Sequence, residues 1–189
     1  MQKILVLVIF PICNLIALEI REPLIDEIPV VAQLFHDCWH ATYNSNPTPM
    51  APYYAAIRTP ENCRSQWYEY YNKRDHFILI AIAQQEIIGV VYAGTKGNDC
   101  PQACISYDSE IDKLYVLSSR KNQGVGTELL QHALQKLQLS GFKAAIVRSL
   151  TKNEQANRFY EKRGGKFIAQ PTVEFNEKMN IYGFQLNKN

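Results

Sequence analysis

A strand that runs into a basic, glycine-bearing loop and straight on into a helix limits this chain more than any other feature. Ser109–Leu117 reads as the strand, Ser118-Ser119-Arg120-Lys121-Asn122-Gln123 as the loop, and Gly124-Val125-Gly126-Thr127 as the helix start. Val125, Leu129, Ala133 and Leu137 recur four apart, which predicts an amphipathic helix over 124–139, closed by Gly141. The first turn of a helix leaves backbone N–H groups without partners and carries the positive end of the helix dipole. Glycines there let a ligand approach with no Cβ in the way. The pattern predicts an anion site, of the kind that holds phosphate, at the mouth of this helix.

The remaining elements assemble around it. Leu18–Arg21 alternates and predicts a short strand. Asp26-Glu27-Ile28-Pro29 signals a helix start, and Val31, Phe35, Cys38 and Trp39 carry a helical stripe as far as His40. Asn44–Pro49 predicts a loop, and the aromatic stretch from Tyr53 to Tyr71 reads as one or two helices. His76–Ala83 and Ile87–Lys96 are apolar, β-branched runs around Gln84-Gln85-Glu86, the pattern of a hairpin. Ala144–Leu150 reads as a strand, and Glu154–Arg163 as a short helix stopped by Gly164-Gly165. Lys166–Gln170 and Asn180–Leu186 read as the last strands. The order β-α-α-β-β-β-α-β-α-β-β belongs to a mixed α/β, α+β-like class. The chain has 189 residues, and 18–189 read as one domain of ordinary size (~100–200 residues) without repeats or low-complexity linkers.

Charge narrows the partners. The net charge of +2 is too balanced for gripping a phosphate backbone by charge alone, so no nucleic-acid partner is expected. The charge is unevenly spread: residues 120–189 hold 12 Lys/Arg against 5 Asp/Glu, and residues 1–119 hold 8 against 13. A basic half suits a polyanionic ligand, and an acidic half leans toward a cationic one. Cys13, Cys38, Cys63, Cys100 and Cys104 are odd in number and form no C-x-x-C pair, which fits reduced thiols rather than a disulfide framework. Met1-Gln2-Lys3 precedes an apolar run, Ile4–Leu18, that is shorter than the ~20 residues of a membrane-spanning helix. Residues 1–17 read as a signal-like segment or an extra element. The expected location is the cytoplasm, with export through 1–17 left open, and no membrane partner is expected.

Three phosphate-binding patterns compete for the loop. A dinucleotide fingerprint needs a third glycine where Leu129 stands, and a Walker A loop needs a lysine that Gly126-Thr127 lacks. Lys121-Asn122-Gln123-Gly124-Val125-Gly126 resembles the Gln/Arg-x-x-Gly-x-Gly/Ala pyrophosphate loop of the GNAT acetyltransferase superfamily, with Lys in the first place. That lysine keeps the charge and loses the planar fork, a loss for which Arg120 is the available substitute. Downstream, Asn153-Glu154-Gln155-Ala156-Asn157-Arg158-Phe159-Tyr160, closing on Gly164, looks like the superfamily's Asn-x-x-Ala-x-x-Phe-Tyr-x-x-x-Gly signature. Residues 110–116 also look like the family's fourth strand. The resemblance spans residues 76–170 well and the flanks weakly.

What the resemblance implies is specific. The fold would be the GNAT acyl-CoA N-acyltransferase fold: a twisted, mostly antiparallel sheet, strands 4 and 5 splayed, helices on both faces. Acetyl-CoA would be the co-substrate, with no metal, and the acceptor a small-molecule or peptide amine. Leu114, Tyr115 and Val116 would give backbone hydrogen bonds to the pantetheine arm, and the Val116 N–H would polarise the thioester carbonyl. Gln123, Gly124, Val125, Gly126 and Thr127 would offer N–H groups to the pyrophosphate, with Arg120 or Lys121 adding charge. Asn153 would either contact pantetheine or simply cap its helix. Tyr160 would protonate the leaving thiolate. Glu110 and Asp112 alternate onto one strand face and are the candidates for holding a water or the amine, or else solvated strand-end carboxylates.

Other features are weaker. His36 and His40 have metal-like i, i+4 spacing without an evident third ligand, and Cys100/Cys104 suggest little redox chemistry. The aromatics Tyr53, Tyr54, Trp67, Tyr68, Tyr70 and Tyr71 read mainly as core, with one or two near an acceptor. The competing class is a non-catalytic acyl-CoA sensor with the same fold. The chain would be a monomer or a homodimer.

Overall fold

The computed structural model describes residues 17–45, 51–173 and 176–186, so the readings made for 1–16 and 46–49 lie outside the described residues. The chain order is β1 (Glu19–Arg21), α1 (Ile28–Ser45), α2 (Ala51–Ile57), α3 (Pro60–Asn72), β2 (His76–Ala83), β3 (Glu86–Thr95) and β4 (Ser109–Val116). It continues with α4 (Val125–Leu139), β5 (Ala144–Leu150), α5 (Glu154–Lys162), β6 (Lys166–Ala169) and β7 (Met179–Gln185). Helix α1 runs past His40 to Ser45, so Asn44 and Ser45, read as the start of a loop, belong to its last turn; Ala41 to Tyr43 hold no Gly or Pro to stop it sooner. The aromatic stretch divides in two at Arg58-Thr59-Pro60. Thr59 caps α3 by accepting from the Asn62 N–H at 3.2 Å, and Pro60 fills the first helical position, where no N–H is needed.

Seven strands form one sheet in the order β1-β2-β3-β4-β5-β7-β6. Every pair is antiparallel except β4 and β5. One apolar core lies between the sheet and α4 with α5, built on Leu129, Leu130, Ala133, Leu137, Val91, Ala93 and Tyr182. A second lies on the opposite face, where Phe35, Trp39 and Trp67 of α1 and α3 cover Ile80, Val90 and Tyr92. The β2–β3 turn carries Gln84 and Gln85 at φ 54° and 66°, two left-handed residues that match the twist of a two-residue hairpin.

Strand β4 carries a bulge. Tyr92 sits opposite Lys113 and Ala93 opposite Ile111, so Asp112 is an extra residue. One extra residue reverses the alternation beyond it. Ile111 faces the α4 side, yet after the bulge it is Leu114 and Val116 that pack there, while Tyr115 packs against the α1 side. The bulge bends β4 just where it leaves β5: the two pair only over Ser109–Ile111 with Ala145–Val147. From there β4 stays on β3 as far as Val116 and β5 stays on β7 as far as Leu150, and a wedge opens between them.

Candidate active site

The wedge continues into a cleft of about 840 Å³ that reaches from the β4–α4 loop to the ends of α1 and α2. Its two side walls are sheet edges. The Leu117 N–H donates to the Ile88 C=O at 3.0 Å, and hydrogen-bonded pairs alternate along an antiparallel ladder. Tyr115 therefore spends its backbone groups on β3, whereas Leu114 and Val116 turn theirs into the wedge. By the same alternation, the Thr151 N–H donates to the Lys178 C=O at 2.9 Å, so Leu150 turns its main chain toward the wedge from the β5 side. Asn157, on α5, closes part of that edge: its Nδ2 donates to the C=O groups of Leu150 (3.2 Å) and Thr151 (3.0 Å). Ser149 Oγ is buried, lines the cleft, and has no hydrogen-bond partner among the described residues.

At one end of the wedge the loop turns into α4. Gly124 is the N-cap at φ 88°, a left-handed conformation that glycine adopts without strain, and a Cβ there would meet nothing within 4 Å. The first intrahelical bonds are Thr127 N–H to Gly124 C=O at 2.9 Å and Glu128 N–H to the same oxygen at 3.1 Å. The N–H groups of Gln123, Gly124, Val125 and Gly126 have no acceptor among the described residues, and the helix dipole adds to them. Thr127 differs from the expectation, since its N–H is already used; its side chain lines the cleft instead. Lys121 also lines the cleft and makes no ion pair among the described residues. Arg120 leans away, 3.2 Å from Gln84 Oε1 and 3.4 Å from Glu86 Oε2 on the β2–β3 turn. The Gln123 side chain holds the loop by donating to the Ser119 C=O at 3.0 Å.

Tyr160 lies on α5 beneath the wedge, 6% exposed, with its ring against Phe159 and Tyr182. Burial pushes its phenol above the ordinary tyrosine range, so at neutral pH it is a proton holder and a hydrogen-bond donor. Asn153 caps α5, its Oδ1 accepting from the Ala156 N–H at 3.2 Å, and the residue also lines the cleft.

The wall toward α1 and α3 holds the charges. Glu110, Asp112, Lys113 and Tyr115 all line it. Glu110 is buried and paired with Arg148 of β5, Nη2 to Oε2 at 3.1 Å. Arg148 in turn grips Asp99 through two bonds of 2.9 and 3.0 Å. Burial raises the Glu110 carboxyl above its usual range, and the Arg148 charge opposes that shift. Asp112 is half exposed and pairs with Lys113 at 2.8 Å, whose ammonium also sits over the Tyr70 ring. Arg58, from the break between α2 and α3, completes the wall beside Trp39, Tyr43 and Tyr54.

Most sequence-expected residues line this cleft; Gln123 and Val125 do not, and Val125 is core. Sequence reading missed Arg58, Arg148, Ser149 and Asn157. Arg58 is one of two arginines in the aromatic segment, with Arg64, and nothing local singles it out; the others sit in positions that period and propensity treat as ordinary. The His36 and His40 rings lie tilted by 53° with centroids 4.4 Å apart on α1, and no group of three potential metal ligands occurs among the described residues. The Cys100 thiol is pushed up to about 12 by burial and by Cys104. No described helix is long and apolar enough to cross a membrane.

Solved structures share this architecture. An N-acetyltransferase from Staphylococcus aureus Mu50 superposes with a TM-score of 0.69 at 17% identity, covering 90% of this chain and 99% of its own. PaiA N-acetyltransferase from Thermoplasma acidophilum, in complex with coenzyme A, superposes at 0.66 and 17%, covering 89% and 99%. An aminoglycoside 6'-N-acetyltransferase complexed with coenzyme A superposes at 0.65 and 16%, covering 90% and 98%. At these identities the likeness is one of fold. No curated protein sequence matches the chain. The Acetyltransferase (GNAT) family, by contrast, matches residues 31–165 as a sequence pattern that takes in α1, the bulged strand, the glycine loop and Tyr160. An open wedge between parallel strands, closed at one end by free helix N–H groups, is the structural counterpart of that pattern, and the chain belongs to the acetyltransferase (GNAT) family.

Proposed function

We propose that this protein transfers an acetyl group from acetyl-CoA to a primary amine by direct attack within a ternary complex. The observation that carries the reading is the unpaired stretch of β4 and β5 beyond Ile111 and Val147, ending at four unengaged N–H groups. An extended arm with its own amides fits such a gap as an added strand would, and a diphosphate fits the helix mouth. When bound, acetyl-CoA supplies a thioester whose carbonyl carbon is the electrophile.

The chain's own groups then have distinct tasks. Gln123, Gly124, Val125 and Gly126 hold the diphosphate through N–H groups, and Lys121 adds a charge. Leu114, Val116 and Leu150 bind the arm through main chain, with the Val116 N–H directed at the thioester oxygen. Tyr160 donates to the departing sulfur. A thiol has an ordinary pKa of ~8.5, well below a tyrosine raised by burial. The phenol therefore stabilises the developing thiolate by a hydrogen bond while keeping its own proton. The proton that ends on sulfur originates on the amine, and Glu110 and Asp112 relay it through water. Net, the amine N–H and the C–S bond break while the amide N–C and the S–H bonds form.

Free thiol release from acetyl-CoA, measured against a panel of amines, tests this. Turnover is expected with at least one primary amine, and Tyr160→Phe is expected to lower kcat by about 100-fold while coenzyme A still binds. Coenzyme A binding without turnover on any amine favours the sensor reading. Full activity in Tyr160→Phe removes Tyr160 from the chemistry.

A further inference from the structure

The cations on the wall toward α1 and α3 differ in one respect; Lys121, Lys162 and Arg163, also without ion pairs among the described residues, line the cleft at its α4 and α5 side. Arg148 holds Asp99 and Glu110, Lys113 holds Asp112, and Arg120 reaches Glu86. Arg58 has no carboxylate within ion-pair distance among the described residues, and its Nε is buried without a hydrogen-bond partner. Its guanidinium carbon lies 5.2 Å from the Phe35 ring centroid, 5.1 Å from Trp39 and 5.2 Å from Tyr54. Aromatic faces answer the charge of a guanidinium but not its in-plane N–H donors, which need acceptor oxygens. A half-buried cation with one buried donor left unanswered is costly unless something else completes it.

What completes it follows from charge and shape. The acids of the wall are each held by a cation already, so the count by halves, which leaned toward a cationic acceptor, does not by itself describe the wall as built. One guanidinium matches one planar carboxylate in a two-bond fork, whereas a phosphate of nearly double charge would call for further cations. We propose that the acceptor is an amine that also carries a carboxylate, an amino acid or a peptide with a free end, with that carboxylate bound by Arg58 and the amine facing Glu110 and Asp112. This rests on the acetyltransferase reading of the same cleft. Arg58 then determines specificity: it selects the acceptor without touching the reacting bond.

Matched acceptors test it: lysine, its carboxamide, the diamine left by removing its carboxyl group, and a dipeptide with a free carboxylate. The carboxylate-bearing acceptors are expected to exceed the other two in kcat/KM by about 10- to 100-fold, the worth of a charged hydrogen-bonded pair. Arg58→Gln is expected to close that gap through KM far more than through kcat. Arg58→Lys keeps charge on the aromatic faces and is expected to restore part of it, which separates recognition from a folding loss. Carboxamide and diamine used as well as lysine, or a gap that survives Arg58→Gln in a folded protein, overturns the assignment. If no amine is turned over, the transferase reading fails and Arg58 is read by binding instead. Protein saturated with coenzyme A should then gain thermal stability from N-acetyl-lysine but not from its carboxamide, and lose that gain in Arg58→Gln. Equal shifts, or none, overturn the carboxylate assignment.

Discussion

Gly126 occupies the second position of α4, where a Cβ would meet Phe159 Cζ at 3.6 Å and Val116 Cγ2 at 3.7 Å, both ordinary contacts. Alanine is a better helix former than glycine by about 0.5–1 kcal/mol. Gly126→Ala should therefore melt no lower than the parent and should bind coenzyme A within about threefold of it, because the added methyl packs against Phe159 and Val116 and the loop pattern accepts alanine in this place. Gly124→Ala is the contrast: nothing crowds the site, but φ 88° costs an L-residue about 1–2 kcal/mol. Calorimetry on both variants separates the two positions, and a marked loss of affinity in Gly126→Ala would mean that position 126 needs glycine for the ligand rather than for the helix. At this scale the sequence was informative wherever a residue's chemistry is local. Glycine, the Asn153 cap and the buried phenol of Tyr160 could be named from their motif. Arg58 could not, because its meaning comes from rings on α1 that are distant in sequence and from an acid that is missing among the described residues.

Among the elements, the β2–β3 turn and the β4 bulge behave differently. The hairpin was legible because two β-branched runs flank polar residues. Its turn is not the preferred Asn-Gly, and Gln85 holds φ 66° at an energetic cost. Gln85→Gly should raise the free energy of unfolding by about 1 kcal/mol and leave the Arg120–Gln84 contact in place. A melting temperature that falls would mean the turn is held by contacts of the Gln85 side chain. The bulge was not legible. Alternation along 109–117 put Glu110 and Asp112 on one face, which is where they line the cleft, but without the extra residue Leu114 and Val116 would face the α1 side. A one-residue shift in pairing has no signature in hydropathy, since both faces of this strand are covered.

The molecule as a whole buries several phenols around the wedge. Tyr70, Tyr92, Tyr115 and Tyr160 are all raised above the ordinary tyrosine range, each chiefly by burial. A raised phenol contributes stability that is fully present below its unfolded value of ~10 and is lost as pH climbs toward the folded value. Thermal stability should hold from neutral pH to about 9 and then fall steeply. Tyr160→Phe should blunt that alkaline fall, because phenylalanine carries no proton to lose. A flat melting temperature through pH 11 would mean these hydroxyls are open to water.

The residue order by itself determined the element series, the helix mouth and the motif that ties Asn153 to Tyr160. Those depend on local periodicity, glycine freedom and capping, which short segments carry alone. Only the tertiary structure decided that β4 and β5 part after Ile111, that Leu114 and Val116 rather than Tyr115 turn their main chain into the gap, and that Glu110 is already bound to Arg148. Strand pairing, burial and charge partnership arise between segments far apart in the chain, so no window of sequence contains them.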